Sequence, residues 1–145
     1  MFKGRSRHTL DEKGRLAIPA RFKEVLHQKG NNILVLTNHD SCLWAFALDD
    51  WREIERKAAD LSLFNQAANR YLRYFISGAQ ECPLKQGRIT IPPDLRDIGG
   101  LKKDIVLVGE LRIFEIWDRE RWDEEFERSK QEFPVDSQAL SELGI

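Results

Sequence analysis

The chain has 145 residues, 41% of them hydrophobic, with four Trp and eight Phe, enough for one ordinary domain or for two very small units that share a core. No apolar run approaches the ~18 residues that cross a bilayer, and the basic start Met1-Phe2-Lys3-Gly4-Arg5-Ser6-Arg7 lacks the apolar segment of a signal peptide. Two cysteines, Cys42 and Cys82, are too few for a disulfide framework, so a cytoplasmic protein with reduced thiols is expected. The net charge of −1 hides a segregation: residues 1–30 hold eight Lys/Arg against three acids and residues 73–103 six against three, whereas residues 104–145 hold five against twelve. Two basic blocks in an otherwise acidic chain point to a polyanion met at a defined place.

In chain order, Arg5–Leu10 and Arg15–Ile18 have the character of strands. The turn Asp11-Glu12-Lys13-Gly14 joins them, so a β-hairpin is the simplest local expectation. Pro19 ends the second strand. A helix follows from Ala20, with Phe22, Val25 and Leu26 on one face, and Gly30-Asn31-Asn32 stops it. Strands Ile33–Thr37 and Cys42–Ala47 flank a loop at 38–41. The next helix opens near Leu48, where Asp50 and Glu53 have capping-box spacing with Asp50 as the cap. Trp51, Ile54, Ala58 and Leu61 form its inward face. A second amphipathic helix spans Leu63 to Gly78, with Leu72, Phe75 and Ile76 together beside Tyr71 and glycine at its exit.

The same order then recurs. Ala79–Leu84 and Arg88–Ile91 are strands, Pro93–Ile98 a short helix, Ile105–Gly109 and Arg112–Trp117 strands, and Trp122 begins a helix as Trp51 did. Asp11-Glu12-Lys13-Gly14-Arg15-Leu16-Ala17-Ile18-Pro19 returns as Leu84-Lys85-Gln86-Gly87-Arg88-Ile89-Thr90-Ile91-Pro92. Arg15 and Arg88 are 73 positions apart and Trp51 and Trp122 are 71 apart, so the first copy has two extra residues, placed most simply in its 37–42 loop. The organisation expected is an α+β fold with repeats at 5–50 and 79–122, a helical connector at 51–78 and a C-terminal helix and tail at 123–145. Phe133-Pro134-Val135 should break that last helix, leaving Ser137–Ile145 as one turn or disordered.

The opening Met1-Phe2-Lys3-Gly4, the turn Asp11-Glu12-Lys13-Gly14-Arg15 with Ile18-Pro19, the Glu81-Cys82 strand, the Gly87-Arg88 turn and Phe114-Glu115-Ile116-Trp117 resemble the MraZ family of bacterial transcription regulators. Members carry two SpoVT-AbrB-like repeats, and the resemblance covers nearly all of residues 1–124. It implies a pseudo-symmetric swapped-hairpin AbrB-like β-barrel with flanking helices, and ring-shaped homo-oligomers. It also implies binding to direct DNA repeats upstream of the division and cell-wall gene cluster, usually including the family member's own gene. The family motif of Asp, three residues and Arg is met by Asp11 and Arg15. In the second copy Arg88 matches, and Leu84 stands where Asp is expected.

The candidate DNA-binding residues are Lys3, Arg5, Arg7, Lys13, Arg15, Lys85 and Arg88, with Asp11, Gly14 and Gly87 as structural turn residues. For Arg15, an ion pair with Asp11 that holds the turn and a contact to DNA are both open, and the two can coexist. Lys13 and Lys85 sit on the turns, where a phosphate is favoured over solvent alone. Lys3, Arg5 and Arg7 alternate on one strand face and would extend the binding surface. Phosphate contacts supply affinity and salt dependence, and contacts to base edges specify sequence. His39-Asp40-Ser41-Cys42 lacks the four-ligand spacing of a zinc site, and the cysteines and histidines have no nucleophile signature. Neither a phosphate-binding Gly-Lys loop nor a dinucleotide fingerprint occurs. The expectation is therefore a sequence-specific DNA-binding regulator in the nucleoid, not an enzyme, with no metal, cofactor, small-molecule substrate or membrane partner. The rival is a ring or scaffold whose basic turns contact an acidic protein surface.

Overall fold

The computed structural model describes residues 1–145. Eight strands form one six-stranded antiparallel sheet and one two-stranded ribbon. The strands are β1 (Arg5–Thr9), β2 (Arg15–Ala17), β3 (Ile33–His39), β4 (Cys42–Ala47), β5 (Gln80–Pro83), β6 (Arg88–Thr90), β7 (Asp104–Gly109) and β8 (Ile113–Asp118). Helix α1 is Ala20–Gln28, α2 Leu48–Ala58, α3 Gln66–Tyr71, α4 Pro93–Ile98 and α5 Arg119–Leu140. The sheet order is β1-β7-β8-β4-β3-β5 and the ribbon is β2-β6. This is a mixed α+β fold whose hydrogen-bonded pairing does not close a barrel.

The turn at 11–14 does not make the hairpin expected from local sequence. Strand β1 pairs with β7 of the other repeat, Arg5 opposite Val108 and Thr9 opposite Asp104, and β2 pairs with β6. Conversely β5 crosses to β3, with Leu34 opposite Cys82. Each repeat thus lends its first strand to the other's β-hairpin. A local turn signal fixes where the chain reverses but not which strand it pairs with, and burial of both repeats in one core decides the partner. Leu10, Leu16, Ile18, Phe22, Leu34 and Leu36 pack there against Ile89, Ile91, Leu95, Ile105, Leu107 and Phe114. Phe2 meets Phe22 and Phe114 edge to face, and Phe22 and Phe114 lie tilted to each other, with ring centroids 4.7–5.3 Å apart.

The register locates the two extra residues. Leu34 faces Ala47 and His39 faces Cys42 in the first hairpin, and Ile105 faces Asp118 in the second, a constant offset of 71. The reversal repeats too, with positive φ at Asp40 and again at Leu111. The 37–42 loop is therefore not longer than its counterpart. The extra length lies between Pro19 and Leu34, where α1 has nine residues and α4 six.

Outside the shared core, α2 lays Leu48 and Trp51 against Val35, Phe46 and Phe75 on one part of the sheet, while α5 brings Trp122 against Val106, Val108 and Trp117 on another. Trp51 and Ala58 are buried as expected, but Leu61 is exposed. The N-cap of α2 is Ala47, so Asp50 falls in the first turn and pairs with Lys29 at 3.2 Å instead of capping. An acid there is favourable next to the positive end of the helix dipole. The single helix expected over 63–78 is instead α3, capped by the Asn65 side chain on the Ala68 N–H, running into a π-helical turn at Leu72–Ile76. Thr37 Oγ1 and Asn38 Nδ2 donate to the carbonyls of Phe75 and Tyr74 in that turn. Helix α5 continues through Pro134. Proline costs that helix one N–H donor, and the turns on either side hold it together.

Candidate nucleic-acid interface

Strands β2 and β6 place Arg15 opposite Thr90, Leu16 opposite Ile89 and Ala17 opposite Arg88. Side chains alternate across a strand. Leu16 and Ile89 are buried in the core, so Arg15, Ala17, Arg88 and Thr90 share the outer face. The pseudo-two-fold axis relating the repeats passes through the Leu16–Ile89 pair, because these residues are 73 apart and oppose each other. Two arginines from separate repeats therefore sit diagonally on one ribbon.

The turns feeding the ribbon differ. In the first, Asp11 Oδ1 accepts from the backbone N–H of Lys13 (3.0 Å) and Arg15 (2.8 Å), and Oδ2 accepts from Arg15 Nε at 2.6 Å. The backbone bond from Arg15, then its side chain, holds the Asp11 carboxyl below the usual carboxylate range. In the second, Lys85 and Arg88 exchange both backbone hydrogen bonds, 2.8 and 3.0 Å, around Gln86 and Gly87 at φ 52° and 78°. Two central residues with positive φ define the primed turn that suits a two-residue hairpin. The second turn is one residue shorter, which changes the correspondence read from sequence. Leu10 N–H donates to Lys103 O and Leu84 N–H to Asn32 O, both at 2.8 Å. Leu84 is thus the counterpart of Leu10, and Lys85 occupies the place of Asp11. Each turn also grips the opposite strand: Ile91 N–H donates to Gly14 O at 2.8 Å and Ile18 N–H to Gly87 O at 3.0 Å.

The structure brings Lys13, Arg15, Lys85 and Arg88 to the ribbon and its turns. No ion pair of the protein includes Lys13, Lys85 or Arg88. Arg5 and Arg7 lie elsewhere, lining a cleft with Val106, Trp122 and Phe126, and the Arg5 guanidinium stands 4.8 Å over the Phe126 ring. Lys3 is exposed, and its carbonyl accepts from Arg21 Nε at 2.9 Å. Two further cations, Lys23 on α1 and Arg96 on α4, stand behind the turn glycines. Sequence reading passed over them, although each follows its proline, Pro19 or Pro92, by four positions.

The remaining polar groups are occupied otherwise. Burial pushes the Cys82 thiol up to about 11. Burial, followed by the nearby Glu115, pushes the Cys42 thiol upward as well. His8 is lowered by burial and by Arg21. No three His, Cys, Asp or Glu side chains converge as metal ligands, and no helix is long and apolar enough to cross a membrane. The Glu115 carboxylate accepts from the indoles of Trp44 and Trp117, each at 2.9 Å. Partial burial, with Glu115 beside it, pushes Glu110 up to about 7.

A family model described as "MraZ protein, putative antitoxin-like" matches the chain twice, over residues 1–74 and 75–142. The chain is 40% identical to a protein of Syntrophobacter fumaroxidans named Transcriptional regulator MraZ, over 99% of this chain and 97% of that one. Proteins of the same name from Natranaerobius thermophilus and Clostridium beijerinckii are each 40% identical with both chains fully covered. With two family matches in tandem and full-length relatives at this identity, the chain belongs to the MraZ family.

Proposed function

We propose that this chain is a sequence-specific, DNA-binding transcriptional regulator whose β2–β6 ribbon enters the major groove. The observation that carries this reading is the ribbon itself, which presents Arg15 and Arg88 on one outer face with Lys13 and Lys85 on its turns. A major groove admits a two-stranded ribbon, and arginine to guanine is the commonest base-specific contact. The lysines supply phosphate contacts, and the acidic remainder of the chain disfavours indiscriminate binding. The names of the relatives, Transcriptional regulator MraZ, agree with a regulatory role. The targets we propose are the direct repeats upstream of the division and cell-wall gene cluster, read by a ring-shaped homo-oligomer in the nucleoid. Several modules on repeated sites gain affinity through effective concentration. Repeats at 5–50 and 79–122 in a swapped-hairpin, AbrB-like barrel are part of the same proposal, and the exchange of β1 and β5 between repeats supports it. No catalytic role or cofactor is assigned.

The test is titration of a fluorescent fragment from upstream of the chain's own gene at several salt concentrations. Binding that survives excess unrelated duplex is the expected result. Equal, wholly salt-labile binding to every duplex would sink the reading in favour of a scaffold that meets an acidic protein surface.

A further inference from the structure

The axis through Leu16 and Ile89 gives every residue on the outer face of the ribbon a counterpart in the other repeat, 73 positions away. Arg15 and Arg88 obey that symmetry. The remaining pair breaks it, since Ala17 of the first repeat corresponds to Thr90 of the second. Both are exposed, so the difference is presented to whatever meets the ribbon.

The register places these two residues beside the arginines. Ile91 N–H donates to Gly14 O and Ile18 N–H to Gly87 O, and bonded and non-bonded pairs alternate along an antiparallel ladder. Arg15–Thr90 and Ala17–Arg88 are therefore the non-hydrogen-bonded pairs, in which opposed side chains stand closest. Arg15 has threonine at its side and the Asp11 carboxylate on its Nε, which leaves its two terminal Nη groups for a partner. Arg88 has only the Ala17 methyl at its side. Threonine projects a methyl and a hydroxyl beyond Cβ and is stiff at χ1, whereas alanine ends at Cβ. The asymmetry continues in the turns, where Lys85 stands in the place of Asp11.

We propose that Thr90 and Ala17 make the two halves of the bound DNA sequence unequal, so that each chain reads a non-palindromic box in one orientation. This inference rests on the DNA-binding reading above. A ribbon that kept its two-fold symmetry would match a palindrome, because the symmetry of a site mirrors that of the protein on it. Thr90 sets its methyl against a thymine methyl in the base pair next to the one met by Arg15. Ala17, ending at Cβ, leaves the matching pair beside Arg88 unread.

The experiment selects duplexes from a library with a randomised centre, using the full chain as wild type, Thr90→Ala, Ala17→Thr and the double exchange. Melting temperatures and circular dichroism check folding. Wild type should enrich a non-palindromic box. Thr90→Ala should lose roughly five-fold of the preference at one base pair, the low end of what a single pair contributes, and keep the guanines. Ala17→Thr should add a thymine preference at the pair related by the axis and bring the box closer to a palindrome. The double exchange should move the preference from one half to the other. A palindromic wild-type box would overturn the inference, and so would base preferences that stay unchanged in all three variants. Either result leaves the regulator reading standing. Should Thr90→Ala lose its fold, Ala17→Thr decides the matter alone. Failure of the wild type to enrich any box would remove the regulator reading itself, and this inference with it.

Discussion

The first turn is held by a side chain, with Asp11 binding two backbone N–H groups and Arg15, whereas the second is held by backbone geometry, with two positive-φ residues closing a shorter loop. Both deliver an arginine to the same ribbon and a glycine carbonyl to the opposite strand. The comparison separates two roles that the repeated motif runs together. The Asp–Arg pair is one of two ways to close the turn. The arginine on the outer face is the part that both copies keep. Arg15 is held by a carboxylate and presented in one geometry, while the Arg88 guanidinium keeps its donors for another partner.

The largest expected effect compares the two glycines. Gly14 has φ +81° and lies against Arg96 and, at 2.9 Å from a built Cβ, the Ile91 carbonyl. Gly14→Ala should cost about 2–3 kcal/mol through strain and backbone collision. Gly87, at φ +78° with only the end of a lysine nearby, should cost about 1–2 kcal/mol as Ala, because only the left-handed backbone is penalised. Equilibrium denaturation of both variants checks the order, and equal losses would break the distinction between the turns.

Next come the arginines. Arg88→Ala and Arg15→Ala should each lower operator discrimination roughly 10- to 100-fold, as expected for loss of one bidentate base contact. Native circular dichroism and oligomer size should persist in both. Loss of fold in Arg15→Ala alone would assign that residue to its turn. A smaller effect follows from Asp11→Asn. The Asp11 carboxyl is held low in the folded state, so its contribution is present above the ordinary value of 3.8 and lost as pH falls through its lowered folded value. The stability difference between wild type and Asp11→Asn should therefore shrink on acidification, and a difference that grows would contradict the assignment.

The smallest effect tests the same asymmetry at the hairpin tips, where His39 of one repeat is matched by Glu110 of the other, and Trp44 by Glu115. The folded state raises Glu110 from 4.5 to about 7, so it holds the protonated form more tightly than the unfolded chain does. That contribution is complete below 4.5 and disappears as pH rises through about 7. Glu110→Gln should accordingly gain on wild type as melting temperatures are followed from pH 4.5 to pH 7. A constant offset would show that Glu110 does not titrate in this range.

The duplicated motif, most strand positions and the aromatic core were legible in the sequence because apolar periodicity and turn residues are local signals. The crossing of β1 to β7 was not, since a turn has the same composition whichever strand its arms pair with. The misplaced two-residue difference has a similar cause: a short helix tolerates added residues as readily as a loop, and only the constant register of the hairpins locates them. Arg15 and Arg88 were visible because both copies keep them, with Lys13 and Lys85 beside them. Lys23 and Arg96 lie on helices where isolated cations look like solvated surface, and only their approach to Gly14 and Gly87 singles them out. Arg5 looked equivalent to its neighbours until α5 placed Phe126 beneath it.

The most direct test of the ribbon as the reading element is a structure of the protein on a duplex carrying the proposed upstream repeats. Arg15 and Arg88 should meet base edges in one major groove, with phosphates beside Lys13 and Lys85. DNA lying instead across the face of α5, against Arg5 and Arg7, with the ribbon free in solvent, would contradict it.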